Sequence, residues 1–176
     1  MIAKAAKVVP LLCVLLLTLL GGCTMVITPE VITPEPVEEL PQVNPNGIIF
    51  TAEQSAAIPD LLTNVLSPTP ENTWTPAITD VAQLEADLPT FLQSAEDPWL
   101  RPDPPIWERV PDYYRQYFGI VENGEEIIYA NFFCDNDQPN WRSDYVMVMD
   151  GGDCYFQVKY NPSTGQFFDL MVNGES

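Results

Sequence analysis

The chain has 176 residues, and its 25 acidic side chains outnumber its 7 basic ones, so that the formal net charge at pH 7 is −18. Phosphate backbones repel a protein of this charge, which argues against nucleic-acid binding and favours cations and basic protein surfaces as partners. The sequence contains no histidine, which excludes Ser-His-Asp and Cys-His catalysis and the usual zinc hydrolase sites.

The chain begins with a targeting segment. Lys4 and Lys7 precede an apolar stretch of 13 residues at 8–20, whereas a membrane-spanning helix needs roughly 20 residues. The stretch runs into Leu-Leu-Gly-Gly-Cys at 19–23. A charged start, a short apolar core and small residues before a cleavage point predict a signal peptide over residues 1–22.

The run at 19–23 resembles the lipobox of bacterial lipoproteins. The resemblance implies that Cys23 is lipidated, with palmitate among its acyl chains, and becomes the first residue of the mature protein. Each buried CH₂ contributes about 0.8 kcal/mol, so two or more chains anchor a protein stably. We therefore expect an extracytoplasmic protein anchored by lipid to the cell membrane, and Thr24 permits the outer membrane when the cell has one. The alternative is an ordinary secretory signal followed by an accidental cysteine.

A proline-rich linker follows Cys23. Residues 23–46 contain five prolines and no aromatic side chain, and Val-Ile-Thr-Pro-Glu occurs at 26–30 and again at 31–35. Such a segment cannot bury a core, so we expect a disordered, extended linker. The remaining residues, 47–176, are enough for a single globular domain with its own core.

The first half of this domain, residues 48–99, carries helical signals. Thr51 and Gln54 have the spacing of a capping box, and a helix is expected to begin at Pro59. A second helix is predicted over Thr79–Ser94, where Pro89 should kink or divide it. The apolar face of the first helix consists of Leu61, Leu62, Val65 and Leu66.

The second half carries strand signals. Asn-Gly at 123–124 is typical of a tight hairpin, and in the last strand Phe168, Leu170 and Val172 should face the core. Helices followed by strands predict an α+β fold, with N-terminal helices packed on a C-terminal antiparallel sheet of four to five strands. The predicted strands are residues 113–121, 126–134, 144–149, 154–160 and 166–172.

Two cysteines remain once Cys13 leaves with the signal and Cys23 is lipidated. In an exported domain, Cys134 and Cys154 predict a disulfide, which closes a loop of about 20 residues and stabilises by about 3 kcal/mol in the chain-entropy model. A bridge needs Cα atoms within about 7 Å, yet a simple meander would insert the 144–149 strand between the two cysteines. We keep the disulfide and doubt the meander.

Candidate site residues follow from chemistry. Aromatic side chains near scarce arginines are typical of a stacking site for a glycan or peptidoglycan ligand, although core and rim residues show the same pattern. Acidic residues crowd the loop between the cysteines, but their spacing fails the helix-loop-helix calcium pattern. We therefore expect no metal, no cofactor and no catalytic residue. The candidate ligand contacts are Trp107, Arg109, Tyr113, Arg115, Tyr117, Trp141 and Arg142.

The C-terminal hairpin resembles PepSY and cystatin-like modules, in which a Tyr-rich strand, a turn with Thr-Gly and a final strand recur. This resemblance covers about 25 residues. Three motifs also resemble signatures of an uncharacterised bacterial family. Neither resemblance implies an activity. The motifs are Trp-Thr-Pro at 74–76, Asn-Phe-Phe-Cys at 131–134 and Asp-Gly-Gly-Asp-Cys at 150–154.

Two functions remain in competition. The first is a non-enzymatic envelope lipoprotein, a tethered module that binds an envelope protein or a cell-wall partner. The alternative is a small hydrolase that cleaves envelope polymers with paired carboxylates. We prefer the binding module, because none of the acidic residues stands out as a proton donor.

Overall fold

The computed structural model describes residues 43–58 and 61–174, apart from the side chains of residues 62 and 63. The predicted signal peptide, Cys23, most of the predicted linker, and Pro59 lie outside the described residues. Within those two ranges, no helix has the length and apolar character needed to span a membrane.

The fold is α+β, as predicted, with helices that mostly precede the strands. The helices are α1 (Ala52–Ala56), α2 (Ile78–Ser94) and α3 (Ile106–Arg109), together with a single π-helical turn at Leu61–Val65 and 3₁₀ turns at Pro98–Leu100, Val110–Asp112 and Gly152–Cys154. The strands are β1 (Gly47–Ile49), β2 (Asn72–Trp74), β3 (Tyr114–Glu122), β4 (Glu125–Phe133), β5 (Tyr155–Asn161) and β6 (Gln166–Val172).

The six strands form one sheet in the order β1-β3-β4-β5-β6, and β2 also pairs with β3. All neighbours are antiparallel except β1 and β3. β1 and β2 were not predicted: they fall at or within residues 48–99, where the sequence predicts helices and no strand. Each is only three residues long and is a strand because it pairs with β3, which is distant in sequence. Strands this short show no hydrophobic alternation from which they could be predicted.

Local signals at the helix and hairpin ends are confirmed. The Thr51 hydroxyl accepts from the Gln54 amide at 3.1 Å, and the Gln54 side chain accepts from the Thr51 amide at 2.9 Å, which completes the predicted capping box. Asn123 and Gly124 have φ of 53° and 77°, as a tight β3–β4 hairpin requires.

Pro89 does not divide α2, contrary to one of the two predicted outcomes. The helix continues to Ser94. Proline removes one backbone hydrogen bond and clashes with the preceding turn, at a cost of about 3 kcal/mol. The buried residues before and after Pro89 hold both halves on the sheet; they are Val81, Leu84, Leu88 and Leu92.

The predicted strand at 144–149 is wrong, and its absence explains the disulfide. β4 pairs directly with β5, with Phe133 opposite Tyr155. Cys134 directly follows Phe133, and Cys154 directly precedes Tyr155. Their Cα atoms are 5.0 Å apart, and the predicted disulfide is confirmed. Residues 144–149 lie outside the sheet, so they do not separate the cysteines.

The sheet has two covered faces. The helix face packs on α2 and α3 and includes Tyr117, Phe132, Phe156 and Val158. The second face carries Phe118, Ile120, Ile127 and Tyr129, which pack against Phe50, Leu61 and Leu66.

A bulge in β6 changes which of its residues face the helices. Asp169 has φ of 49°, and the register with β5 shifts at this point. Leu170 and Val172 lie on the helix face as predicted, whereas Phe168 packs on the second face. The prediction for Phe168 was wrong because an extra residue in a strand breaks its alternation of faces.

Candidate functional site

The seven predicted ligand contacts are divided between the two faces of the sheet. Arg115 is only 2% exposed. Its guanidinium donates to the carbonyl oxygens of Val110 at 2.6 Å and Tyr113 at 2.9 Å, and forms an ion pair with Glu85. The buried Tyr117 hydroxyl also donates to Glu85, at 2.6 Å. Arg115 and Tyr117 therefore stabilise the core beneath α2.

Three further predicted residues lie around the same core. The buried Tyr113 donates its hydroxyl to the Asp153 carbonyl at 2.6 Å, and burial raises the pKa of this phenol to about 12. Arg109 pairs with the Asp153 carboxylate and lies 5.9 Å from the centre of the Tyr113 ring. Trp107 is half-buried, with Arg101 over its ring.

Trp141 and Arg142 lie apart from the other five. Arg142 stacks on Trp141 at 4.1 Å from the ring centre, and Trp141 packs edge-on against Tyr114 and Phe133 of the second face. The structure therefore brings the seven residues together as two groups on opposite faces and not as one platform.

The second face has a different feature, a segment held by amide side chains. Gln116 donates to the Trp141 and Asp144 carbonyls and accepts from the Val146 amide. Asn131 donates to the Val146 carbonyl at 2.9 Å. The side chains of Gln116 and Asn131 thus satisfy backbone N–H and C=O groups that would otherwise need a neighbouring strand. Residues 144–149 therefore cross this face without joining the sheet.

Residues 144–149, which we call the crossing segment, form one side of a groove, and residues 64–67 form the other. Two adjoining cavities of about 230 and 400 Å³ share Val65, Tyr129, Gln157 and Met171, and we call the two together the groove. Its floor is the second face of β4, β5 and β6. The remaining described lining residues are Asn64, Leu66, Ser67, Tyr145, Met147, Val148, Met149, Lys159, Asp169, Leu170 and Asn173.

Methionines dominate the exposed lining of the groove. Met147, Met149 and Met171 are 52%, 82% and 55% exposed, and they are all the methionines of the described residues. Thioether side chains are flexible and polarizable, so they adapt to apolar partners of varied shape. Exposed apolar side chains grouped around a concave surface mark an interaction site.

The floor of the groove contains an acceptor without a partner. Gln157 is 7% exposed, and its Nε2 donates to the Asn131 side chain at 3.2 Å. Its Oε1 is buried and has no hydrogen-bond partner among the described residues. An unsatisfied buried acceptor costs about 1–3 kcal/mol, which a ligand donor would offset once the Gln157 side chain turns this oxygen toward the groove.

Charge at the groove centres on Lys159. Its buried ammonium lies 2.8 Å from the Glu122 carboxylate and 3.1 Å from that of the exposed Asp169. Two carboxylates against one ammonium leave this end of the groove with a net negative charge.

The tyrosine hydroxyls of the groove remain protonated at neutral pH. The Tyr129 and Tyr145 oxygens are 3.0 Å apart. Burial, strengthened by the neighbouring Tyr145, raises the pKa of Tyr129 well above its usual range, and burial also raises the pKa of Tyr145. This pair therefore provides neutral hydroxyls, which donate and accept hydrogen bonds.

The groove contains few groups for catalysis. Among its described lining residues, Asp169 is the one carboxylate, so paired carboxylates across the cleft are missing from that set. No group of three or more potential metal ligands occurs in the described part of the chain.

Sequence reasoning missed this groove. Met147 and Met149 were placed in a predicted strand, and Met171 lies more than twenty residues away. The available signal is the unbroken run of five apolar residues at 145–149 within an acidic segment, which is unusual for an ordinary surface loop.

Comparison of the chain with protein-family models, with curated proteins and with solved structures gives no match. The resemblances of the sequence to PepSY and cystatin-like modules, and to lipoproteins, stay predictions.

Proposed function

We propose that this protein is a non-enzymatic binding module, anchored in the cell envelope as a lipoprotein, and that the groove is its binding site. The observation that carries the proposal is the placement of every described methionine, each at least half exposed, around one concave surface. Solvation of these side chains is unfavourable, so a partner that covers them gains about 25 cal/mol per Å² of apolar surface removed from water.

The chemistry of the lining supports binding over catalysis. Apart from the paired Lys159 and Asp169, the described polar groups of the floor are amides and protonated phenols, which orient a ligand but do not cleave it. The carboxylate of Asp169 already pairs with Lys159. The hydrolase alternative needs a second carboxylate facing the first across the substrate.

The proposed location has separate support. The lipobox-like run at 19–23 fits an extracytoplasmic, lipid-anchored protein, and Thr24 after the cysteine permits the outer membrane. The Cys134–Cys154 disulfide fits an oxidising compartment. Labelling of cells with a palmitate analogue tests the anchor: we expect the protein to incorporate label and C23S to lose it.

The binding site is testable by photo-methionine cross-linking in cells that express the full chain. All methionines of the described part line the groove. The other two are Met1, which leaves with the predicted signal peptide, and Met25, so a M25L background confines the probe to the groove. We expect a cross-linked adduct with a defined partner, and its loss in M147L/M149L/M171L, which keeps the groove apolar but removes the probe.

Purified partner then gives the quantitative test. M149S/M171S should weaken its binding, whereas I78S/W99S, which changes two exposed apolar residues on other elements, should not. Equal binding by both double variants would refute the groove as the site. Cleavage of cell-wall polymer by the wild type, abolished by D169N, would favour the hydrolase instead.

A further inference from the structure

We propose that the groove recognises a basic, apolar segment of a partner protein, whose N–H group donates to Gln157 Oε1 and whose cationic side chain pairs with Asp169. This inference rests on the proposed function, and it names the chemistry of the ligand.

The basic residues of the described part are engaged elsewhere and leave the groove negative. The buried Arg115 pairs with Glu85, and Arg109 pairs with Asp153. Arg101 donates to the carbonyls of Gln93 in α2 and of Ala95 just after it. Arg142 stacks on Trp141. Lys159 alone reaches the groove, and its charge is exceeded by those of Glu122 and Asp169.

The charge of the whole chain acts in the same direction. At −18, it attracts cationic segments over several ångströms and repels acidic ones. A basic partner is therefore favoured both in the approach to the protein and at Asp169, where its charge would meet an exposed carboxylate.

The unsatisfied atom of Gln157 specifies a donor. Its Nε2 is occupied by Asn131, and the free atom is a carbonyl oxygen. A peptide N–H, a lysine or an arginine satisfies this oxygen, whereas a carboxylate or a bare carbonyl does not.

The methionines explain why the remaining ligand contacts should be apolar and tolerant of side-chain shape. They line the groove on both its crossing segment and β6, where flexible thioethers can repack around leucine, isoleucine or phenylalanine. A basic and apolar peptide combines all three requirements.

The test uses the full chain in detergent and three short fluorescent peptides that alternate leucine with lysine, serine or glutamate. We expect affinity to fall in the order lysine, serine, glutamate, and the difference between the first two to shrink as salt screens the charges. Equal affinity for the lysine and serine peptides would overturn the basic-ligand inference and leave the binding function intact.

Variants locate the recognition. Asp169 has positive φ, which asparagine also adopts, so D169N keeps the bulge while it removes the charge. We expect D169N to weaken the lysine peptide by about two- to fivefold, as for an exposed ion pair, and to leave the serine peptide unchanged. The matched control E108Q, an exposed acid of α3, should change neither.

Gln157 is tested by Q157M, which keeps the length of the side chain without its carbonyl. It should weaken all three peptides. If none of the peptides binds the wild type at any salt concentration, the proposed function fails together with this inference. Loss of the lysine preference in E108Q as well as in D169N would show that the preference comes from overall charge and would overturn the role of Asp169.

Discussion

Asn131 of strand β4 donates a hydrogen bond to the carbonyl oxygen of Val146, at 2.9 Å, from the second face of the sheet. The same amide also donates to Gln116 at 3.1 Å, whose oxygen accepts from the Val146 amide. A pair of buried side chains thus holds a segment that would otherwise need a strand partner, and this segment forms one side of the groove.

The Asn131 contact predicts a stability effect. Replacing Asn131 by alanine leaves the Val146 carbonyl without its Asn131 donor and Gln157 Nε2 without its acceptor, so we expect N131A to lose about 1–3 kcal/mol of unfolding free energy. Urea denaturation measures this loss. N136A, an exposed asparagine in the same disulfide loop, should stay within about 0.5 kcal/mol of the wild type; equal losses in both variants would contradict the account.

The disulfide predicts a local effect on the groove. Cys134 and Cys154 are separated by 20 residues, and that loop carries Tyr145, Met147 and Met149. C134A/C154A should lose about 3 kcal/mol of stability. In hydrogen exchange, amides of the crossing segment should lose protection more than those of β3 and β4. Uniform loss of protection would mean that the disulfide does not act on the groove in particular.

Close packing at Gly119 predicts a different loss. A Cβ atom at this position would lie 2.2 Å from the Trp74 carbonyl oxygen, where β2 pairs with β3. G119A must displace β2 and should cost about 1–3 kcal/mol. G174A is the matched control because nothing lies within 4 Å of its added Cβ. Unchanged thermal stability in G119A would show that β2 is not held against Gly119.

Tyr113 contributes to the loss of stability at alkaline pH. Burial raises the pKa of the folded phenol to about 12 from its ordinary value of 10.0. Above pH 10 the unfolded chain loses this proton and the folded protein keeps it, so unfolding becomes more favourable until the pH passes 12. The stability from this group is fully present below pH 10 and declines between pH 10 and about 12.

The matched measurement compares urea midpoints of wild type and Y113F across that range. Y113F lacks the hydrogen bond to Asp153 and should be less stable at neutral pH. Its midpoint should nevertheless fall less between pH 10 and 12, so the two curves converge. Parallel curves would show that the Tyr113 phenol does not set this decline.

The parts of the fold that the sequence predicts are those set by short-range chemistry. Thr51 and Gln54 cap a helix, and Asn123-Gly124 turns a hairpin, through contacts between neighbours in the chain. Residues 144–149 and Phe168 escaped prediction for the opposite reason. The former are captured by amides of distant strands, and the latter is redirected by the bulge at Asp169.

The same distinction applies to the candidate site. Arginine near aromatic residues is typical of ligand platforms, which makes Arg115 and Tyr117 candidates in the sequence. In the structure both bind the half-buried Glu85 of α2. Met149 and Met171 are far apart in the sequence and share no motif. The β5–β6 pairing and the path of the crossing segment bring them to one groove.

The central claim is that the groove binds a ligand, and methionine methyl NMR tests it most directly. The full chain in detergent, labelled at methionine methyl groups, would be titrated with the leucine–lysine peptide. We predict that the signals of Met147, Met149 and Met171 shift together and saturate, while that of Met25 in the predicted linker stays in place. Binding of the peptide with no change at these three methyl groups, or with a shift at Met25 alone, would contradict the account.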